Sequence, residues 1–317
     1  MQRKNVINLL NDELENLIDE YREVHLDGAF YTPSFIIPLV CYLNSNPIDK
    51  EKFGVHPDNK SYFTTIGLYK QLWNKNDSFI RNNCGKTYSP VIRLDSAEHV
   101  DKATTDIGNC IHSMLEGKRS EGVAKLLDVI GELHDNVWSH GKSTGFSMAQ
   151  TYIDPKLGNR FIEFTIADKG RGFLTEMISV GKIVNSHQEA IEWCIQEGNS
   201  TKHADDEDAW MQRVPGDLIG NNPMGVFGGE IDENHHQGLG LFHLIDLIES
   251  FSGELYLISG NTALHISNNK RSYHKLKHDW KGVVISCRFF QDKLINTVHR
   301  NTIKDEKIDS IIKILRG

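Results

Sequence analysis

Three polar side chains recur at four-residue steps in the middle of the chain, where they could serve a nucleotide or a metal. Glu132, Asn136 and His140 are each one helical turn from the next, so a helix places them on one face. A carboxylate one turn from a carboxamide suits a nucleotide site, because Mg²⁺ prefers hard oxygen ligands and keeps several waters. A solvated stripe on a surface helix is the alternative for the same spacing.

The residues around these three predict the helix that carries them. Apolar side chains recur at three- and four-residue steps on a neighbouring face, which indicates an amphipathic helix with one side in a core. They are Val123, Leu126, Leu127, Ile130, Leu133 and Val137.

A second candidate group follows a predicted hairpin. Residues 146–153 and 160–167 alternate well enough to predict two antiparallel strands joined by a turn at 154–159. Asp168 then stands at a strand end, followed by Gly170 and Gly172. Glycines let a backbone approach a ligand closely and adopt positive φ, although a plain turn uses the same residues.

A third group is Gly238-Leu239-Gly240, which precedes apolar residues at helical spacing from Phe242 to Phe251. Unpaired amides at a helix N-terminus favour phosphate groups. An isolated Gly-x-Gly is also typical of a flexible loop.

Taken in order, the three groups resemble the ATP boxes of the GHKL (Bergerat-fold, histidine-kinase-like) ATPases. The resemblance implies Mg²⁺ and ATP as cofactors, with Asn136 as the metal ligand and Glu132 as the catalytic residue that orients or deprotonates the attacking group. It implies that Asp168 accepts from the adenine amino group. A backbone cradle would come from Gly170, Gly172, Gly238, Leu239 and Gly240.

Within that family, the anti-sigma-factor kinase type is the most similar branch. It shares the spacing Glu-x-x-x-Asn-x-x-x-His-Gly seen at Glu132, Asn136, His140 and Gly141. Two positions depart from the family pattern. His236 stands where many members have a further glycine, and Val283 stands where threonine is usual.

A lid is expected between the second and third groups, over about residues 199–237. Ser200, Thr201 and Lys202 resemble the family's lid entry, where a hydroxyl and a cation meet phosphate oxygens. The polar, glycine-punctuated run that follows favours a lid over a second core. Its histidines and aspartates include no cysteine and no tight ligand spacing, so a zinc site is not expected.

Composition narrows the class of protein. The 317 residues carry a net charge of −8, which argues against nucleic-acid binding. Five cysteines include no C-x-x-C pair and leave an odd one, so a reducing compartment is expected. No apolar run reaches the length of a membrane span or a secretory signal.

The first part of the chain lacks all three groups. A helix-prone start at residues 5–24 is followed by the apolar run Phe35 to Leu43 and by residues 62–69. This order resembles a STAS-like domain without its phosphoacceptor loop, since Tyr31-Thr32-Pro33-Ser34 stands there, and a packing role is favoured. We therefore predict an α/β protein with a small N-terminal α/β domain at 1–88. Residues 89–317 would form a two-layer α/β sandwich, with a mixed sheet backed by helices.

The function expected is that of a cytoplasmic Mg-ATP-binding regulator with slow hydrolysis, a lid that responds to the nucleotide, and a partner protein not identified by the sequence. Two alternatives remain open: a serine/threonine kinase of the anti-sigma-factor type, and a nucleotide-sensing scaffold without turnover. A homodimer is possible, and neither nucleic acid nor membrane is an expected partner.

Overall fold

A five-stranded antiparallel sheet organises the structure. The computed structural model describes residues 3–15, 17–75, 81–138, 143–154, 158–199 and 240–295. The sheet consists of β5 (Ile92–Leu94), β6 (Gly145–Ile153), β7 (Arg160–Asp168), β8 (Glu254–Ser267) and β9 (Lys270–Phe290), in the order β5-β6-β7-β9-β8. A mixed sheet was expected, but each neighbouring pair of strands in this sheet is antiparallel.

The predicted hairpin is confirmed. β6 and β7 pair from Gly145 with Asp168 to Ile153 with Arg160. β9 is 21 residues long. It pairs with β7 only from Val284 to Phe290, and its first half extends with β8 past a bulge at Gly260.

One face of the sheet is covered by helices that follow the N-terminal region. These are α5 (Ala97–Met114), α6 (Glu121–Asn136) and α9 (Gly240–Ser250). Ser120 caps α6 by accepting from the Val123 amide, and the apolar stripe predicted for this helix is buried against the sheet. Two further helices pack against β8: α7 (Gly172–Ser179), which also contacts β9, and α8 (His187–Cys194). The short α10 (Gln291–Ile295) follows β9.

The N-terminal residues cover the opposite face. They form α1 (Val6–Asn8), a π-helical turn (Leu9–Glu13), α2 (Pro33–Ser45), α3 (Pro57–Thr65) and α4 (Leu68–Trp73). Two parallel strand pairs accompany them: β1 (Arg3–Lys4) with β3 (Phe30–Tyr31), and β2 (Val24–Leu26) with β4 (Phe53–Val55). The expected helix over residues 5–24 is therefore shorter, because Asp19 turns the chain by accepting from the Tyr21 and Glu23 amides.

The apolar run at residues 35–43 is the interior of α2, which is buried on nearly all sides. It shares a core with side chains of the sheet, among them Phe146, Ala167, Leu276, Trp280 and Val284. The structure thus has three layers, with helices on both faces of one sheet. The α/β class is as predicted, while the domain boundary at residue 88 and the STAS-like resemblance stay predictions.

Among the described residues, no helix combines the length and apolar character needed to cross a membrane.

Candidate nucleotide-binding site

A cavity of about 130 Å³ opens where α6, β7, α7, α8, α9 and β9 meet. Its walls are mostly apolar, and a few polar groups lie among them, as is usual for a small-molecule site. The lining residues are Leu133, Asn136, Val137, Ile166, Asp168, Arg171, Gly172, Phe173, Glu176, Met177, Trp193, Cys194, Asn199, Leu241, Val283 and Ile285.

Asp168 is the buried carboxylate of this cavity and is only 6% exposed. Its Oδ1 accepts from the Gly170 amide at 2.6 Å, and its Oδ2 accepts from the Val283 amide at 3.2 Å. Burial raises the pKa of Asp168 to about 6, although both hydrogen bonds oppose the rise. Because each carboxylate oxygen can accept more than one hydrogen bond, the side chain retains acceptor capacity for a ligand N–H group.

The two glycines after Asp168 have distinct roles. Gly170 holds the carboxylate through its amide, as described above. Gly172 has a φ of +71° and lies where two chain segments meet: a Cβ there would come within 2.9 Å of Ser259 Oγ and 3.1 Å of the Gly282 carbonyl oxygen. Ser259 joins the segments by accepting from the Phe173 amide and donating to the Gly282 carbonyl.

The helix α6 carries the other two predicted polar groups. Asn136 lines the cavity together with Asp168. Glu132 is not among the lining residues and lies one turn earlier, against the start of α9. A Cβ on Gly240 would be 2.7 Å from Glu132 Oε2, and His243 Nδ1 is 3.8 Å from Glu132 Oε1. The first and third sequence groups therefore meet at the beginning of α9.

Most of the predicted cradle and lid positions between α8 and α9 are not described by the structure. Ser200, Thr201 and Lys202, the remaining lid residues to 237, and Gly238 and Leu239 lie outside the described residues, as does His140. Their predicted roles stay predictions.

The structure adds residues that the motifs did not indicate. Val283, the departure from the family pattern, contributes through its backbone amide rather than its side chain. Trp280 Nε1 donates to the Asp168 carbonyl oxygen at 3.0 Å, and its ring is fully buried. Gly282 has a φ of +100°, and a Cβ there would lie 2.3 Å from that same carbonyl oxygen. The sequence signal for Trp280 and Gly282 is that a tryptophan and a glycine stand just before an apolar run.

The sequence motifs also did not indicate the apolar residues that line the cavity. Phe173 and Met177, one turn apart on α7, and Trp193 on α8 lie around the cavity. Their spacing indicates helices but not which face meets Asp168. Together they form an apolar space with one buried acceptor, an arrangement that can bind an apolar ring bearing an N–H donor.

Comparisons of the chain with protein-family models, with curated proteins and with solved structures found no match.

Proposed function

We propose that this protein is a cytoplasmic Mg-ATP-binding regulator that hydrolyses ATP slowly. The observation that carries the proposal is that Asp168 and Asn136, which belong to different sequence groups, line one apolar cavity. The resemblance to the GHKL ATPases assigns these two residues to adenine and to Mg²⁺, and that assignment requires them to share a site.

The chemistry of the cavity fits an adenine ring. The exocyclic amino group of adenine donates, and Asp168 is a buried acceptor whose carboxylate is held in place by two backbone amides. A site built around a buried acceptor discriminates against bases that present another acceptor at that position. In this proposal, Asn136 supplies an oxygen to Mg²⁺, and ATP bound with the metal supplies the phosphoryl group for hydrolysis.

The position of Glu132 supports a placement of the phosphates near the start of α9. Its carboxylate lies beside the first residues of α9, whose N-terminal end favours negative groups. The base assigned by the resemblance is therefore near the helix start assigned to the phosphates. Glu132 would act there as the residue that orients the attacking water.

The proposal predicts that ATP binds in Mg²⁺ and that Asp168→Asn abolishes this binding in a folded protein. The variant places an N–H donor where the adenine amine also donates and removes a charged acceptor, at a cost of about 1.5–3 kcal/mol. Isothermal calorimetry measures the affinity, and circular dichroism checks the fold. Asp101→Asn, an exposed position on α5, is the matched control. Unchanged ATP affinity in Asp168→Asn would remove the adenine assignment.

Turnover assays separate the proposed function from the alternatives. Slow release of phosphate without a partner supports the ATPase. Transfer of the radiolabelled γ-phosphate to a copurifying protein instead supports the kinase of the anti-sigma-factor type, and binding without either reaction supports a scaffold.

A further inference from the structure

The N-terminal residues reach the loop that carries Asp168 from the side opposite the cavity. Lys169 Nζ lies 3.7 Å from the ring centroid of Trp280 and 5.4 Å from that of Tyr42, which belongs to α2. We name Tyr42, Lys169 and Trp280 the Lys169 cluster. An ammonium group over aromatic faces is attracted by the ring quadrupoles, and more strongly when it is shielded from water.

Trp280 connects this cluster to the candidate adenine acceptor. The indole that stacks under Lys169 also donates from Nε1 to the carbonyl oxygen of Asp168. Two groups of this short loop, the Lys169 ammonium and the Asp168 carbonyl, are thus held by one buried ring. A shift of that ring changes where the Asp168 carboxylate lies in the cavity.

Helix α2 runs alongside β7 toward the segment that begins at Asp168. Near its N-terminus the Ser34 amide donates to Glu163 Oε1 at 2.8 Å, and further along Cys41 Sγ lies 3.8 Å from the Ala167 carbonyl oxygen. Tyr42 follows Cys41 directly, so the helix is fixed to β7 at two positions before it meets Lys169. Packed side chains, hydrogen bonds and rigid helices of this kind can carry energetic coupling between sites.

We propose that Trp280 is a positioning residue for Asp168 and that, through Lys169 and Tyr42, the N-terminal helix α2 is coupled to the nucleotide site. This inference rests on the proposed function. Nucleotide binding further restrains the segment at 168–172, and with it the contact of Lys169 with Tyr42. By reciprocity, a change that frees Tyr42 weakens nucleotide binding.

Five single variants of the full chain test the cluster. Lys169→Met removes the charge and Lys169→Arg keeps it, while Tyr42→Leu removes the ring and Tyr42→Phe keeps it. Trp280→Phe keeps a ring but removes the Nε1 donor. Lys293→Met is the matched control, because Lys293 lies 5.1 Å from the Phe290 ring, outside the cavity lining.

Calorimetry with ADP and hydrogen exchange over residues 33–45 provide the two measurements. We expect ADP to bind about fivefold more weakly to Lys169→Met, Tyr42→Leu and Trp280→Phe, and within about twofold of wild type to Lys169→Arg and Tyr42→Phe. ADP should slow exchange in α2 of the wild type but not of Lys169→Met. Tyr42→Leu gives the same test from outside the loop if Lys169→Met does not fold.

The outcomes are distinguishable. If the wild type shows no ADP binding, the proposed function fails and this inference fails with it. If ADP binds but leaves exchange at 33–45 unchanged, or if Lys169→Met and Tyr42→Leu both bind like wild type, only this inference is overturned. Retention of affinity in Lys169→Arg and Tyr42→Phe, with loss in their apolar counterparts, distinguishes positioning from a general loss of packing.

Discussion

Asp168 combines two properties that oppose each other. Its carboxylate is buried among apolar residues, which favours the protonated form, yet its proposed role requires the ionised form as an acceptor. The amides of Gly170 and Val283 stabilise the charge but do not fully offset its burial. The pKa of about 6 therefore places its titration close to neutral pH.

Adenosine should consequently bind about tenfold more weakly at pH 5 than at pH 7. A carboxyl with a pKa of about 6 is mostly ionised at pH 7 and mostly protonated at pH 5. The experiment uses adenosine rather than ATP, because the base and the sugar of adenosine do not titrate between pH 5 and pH 7. Calorimetry at pH 5, 6 and 7 gives the affinities. A flat profile would show that the acceptor is not Asp168 or that its ionisation does not matter.

At the scale of elements, the site depends on a close crossing of two chain segments. The end of β7 and the residues before Val283 on β9 approach so closely that Gly282 has no space for a side chain. The Val283 amide can reach Asp168 Oδ2 only because of this approach. Gly282 is thus required both by its φ of +100° and by its neighbour.

Gly282→Ala should lower the free energy of unfolding by about 2–4 kcal/mol, since positive φ and the clash with the Asp168 carbonyl add. It should also abolish nucleotide binding. Gly181→Ala is the control: Gly181 has a φ of +74° but no atom within 4 Å of an added Cβ, so it should lose only about 1–2 kcal/mol. Urea unfolding measures both variants. Equal losses would mean that backbone strain, and not the crossing, limits position 282.

Local patterns predicted the elements that carry the site but not the way they assemble. The apolar spacing of α6 and the alternation of β6 and β7 depend on near neighbours in sequence, so Asn136 and Asp168 were placed correctly on a helix and at a strand end. The pairing of β7 with β9 joins residues more than 100 positions apart, and no local period encodes it. Trp280 was missed for that reason.

The N-terminal region shows a second limit of sequence patterns. The apolar run in α2 predicted burial, and α2 is buried, but the run does not specify what covers it. The cover proves to be the second face of the same sheet. Residues of the predicted N-terminal unit and of the predicted sandwich thus share one core in the structure.

At the scale of the whole molecule, the sheet and the helical layer on one of its faces contain buried groups that oppose each other in pH dependence. His134, on the sheet side of α6, is fully buried between Thr104 Oγ1 at 2.8 Å and Ser147 Oγ at 3.0 Å. Burial lowers the pKa of His134 to about 3. This histidine is therefore neutral in the folded protein throughout the range in which the unfolded chain becomes protonated.

The signs follow from proton linkage. Between pH 6.5 and 3 the unfolded chain holds a proton on His134 that the folded protein does not, so stability falls as pH falls, by about 1.4 kcal/mol per pH unit. Between pH 6 and 3.8 the folded protein holds a proton on Asp168 that the unfolded chain has lost, so stability rises as pH falls, with a similar slope. From pH 6 to 4 these two contributions nearly cancel in the wild type.

Single variants should expose each contribution. Relative to wild type, His134→Gln should gain about 2–3 kcal/mol of stability between pH 6 and pH 4, and Asp168→Asn should lose a similar amount over the same interval. The prediction concerns the difference in free energy of unfolding between each variant and the wild type, because the contributions of all other groups cancel in that difference. Urea unfolding at pH 4, 5 and 6 gives the free energies, with the exposed His274→Gln as a control that should follow the wild type. Parallel curves for His134→Gln and wild type would mean that the folded protein accommodates a proton on His134, and that the bonds to Thr104 and Ser147 rearrange to allow it.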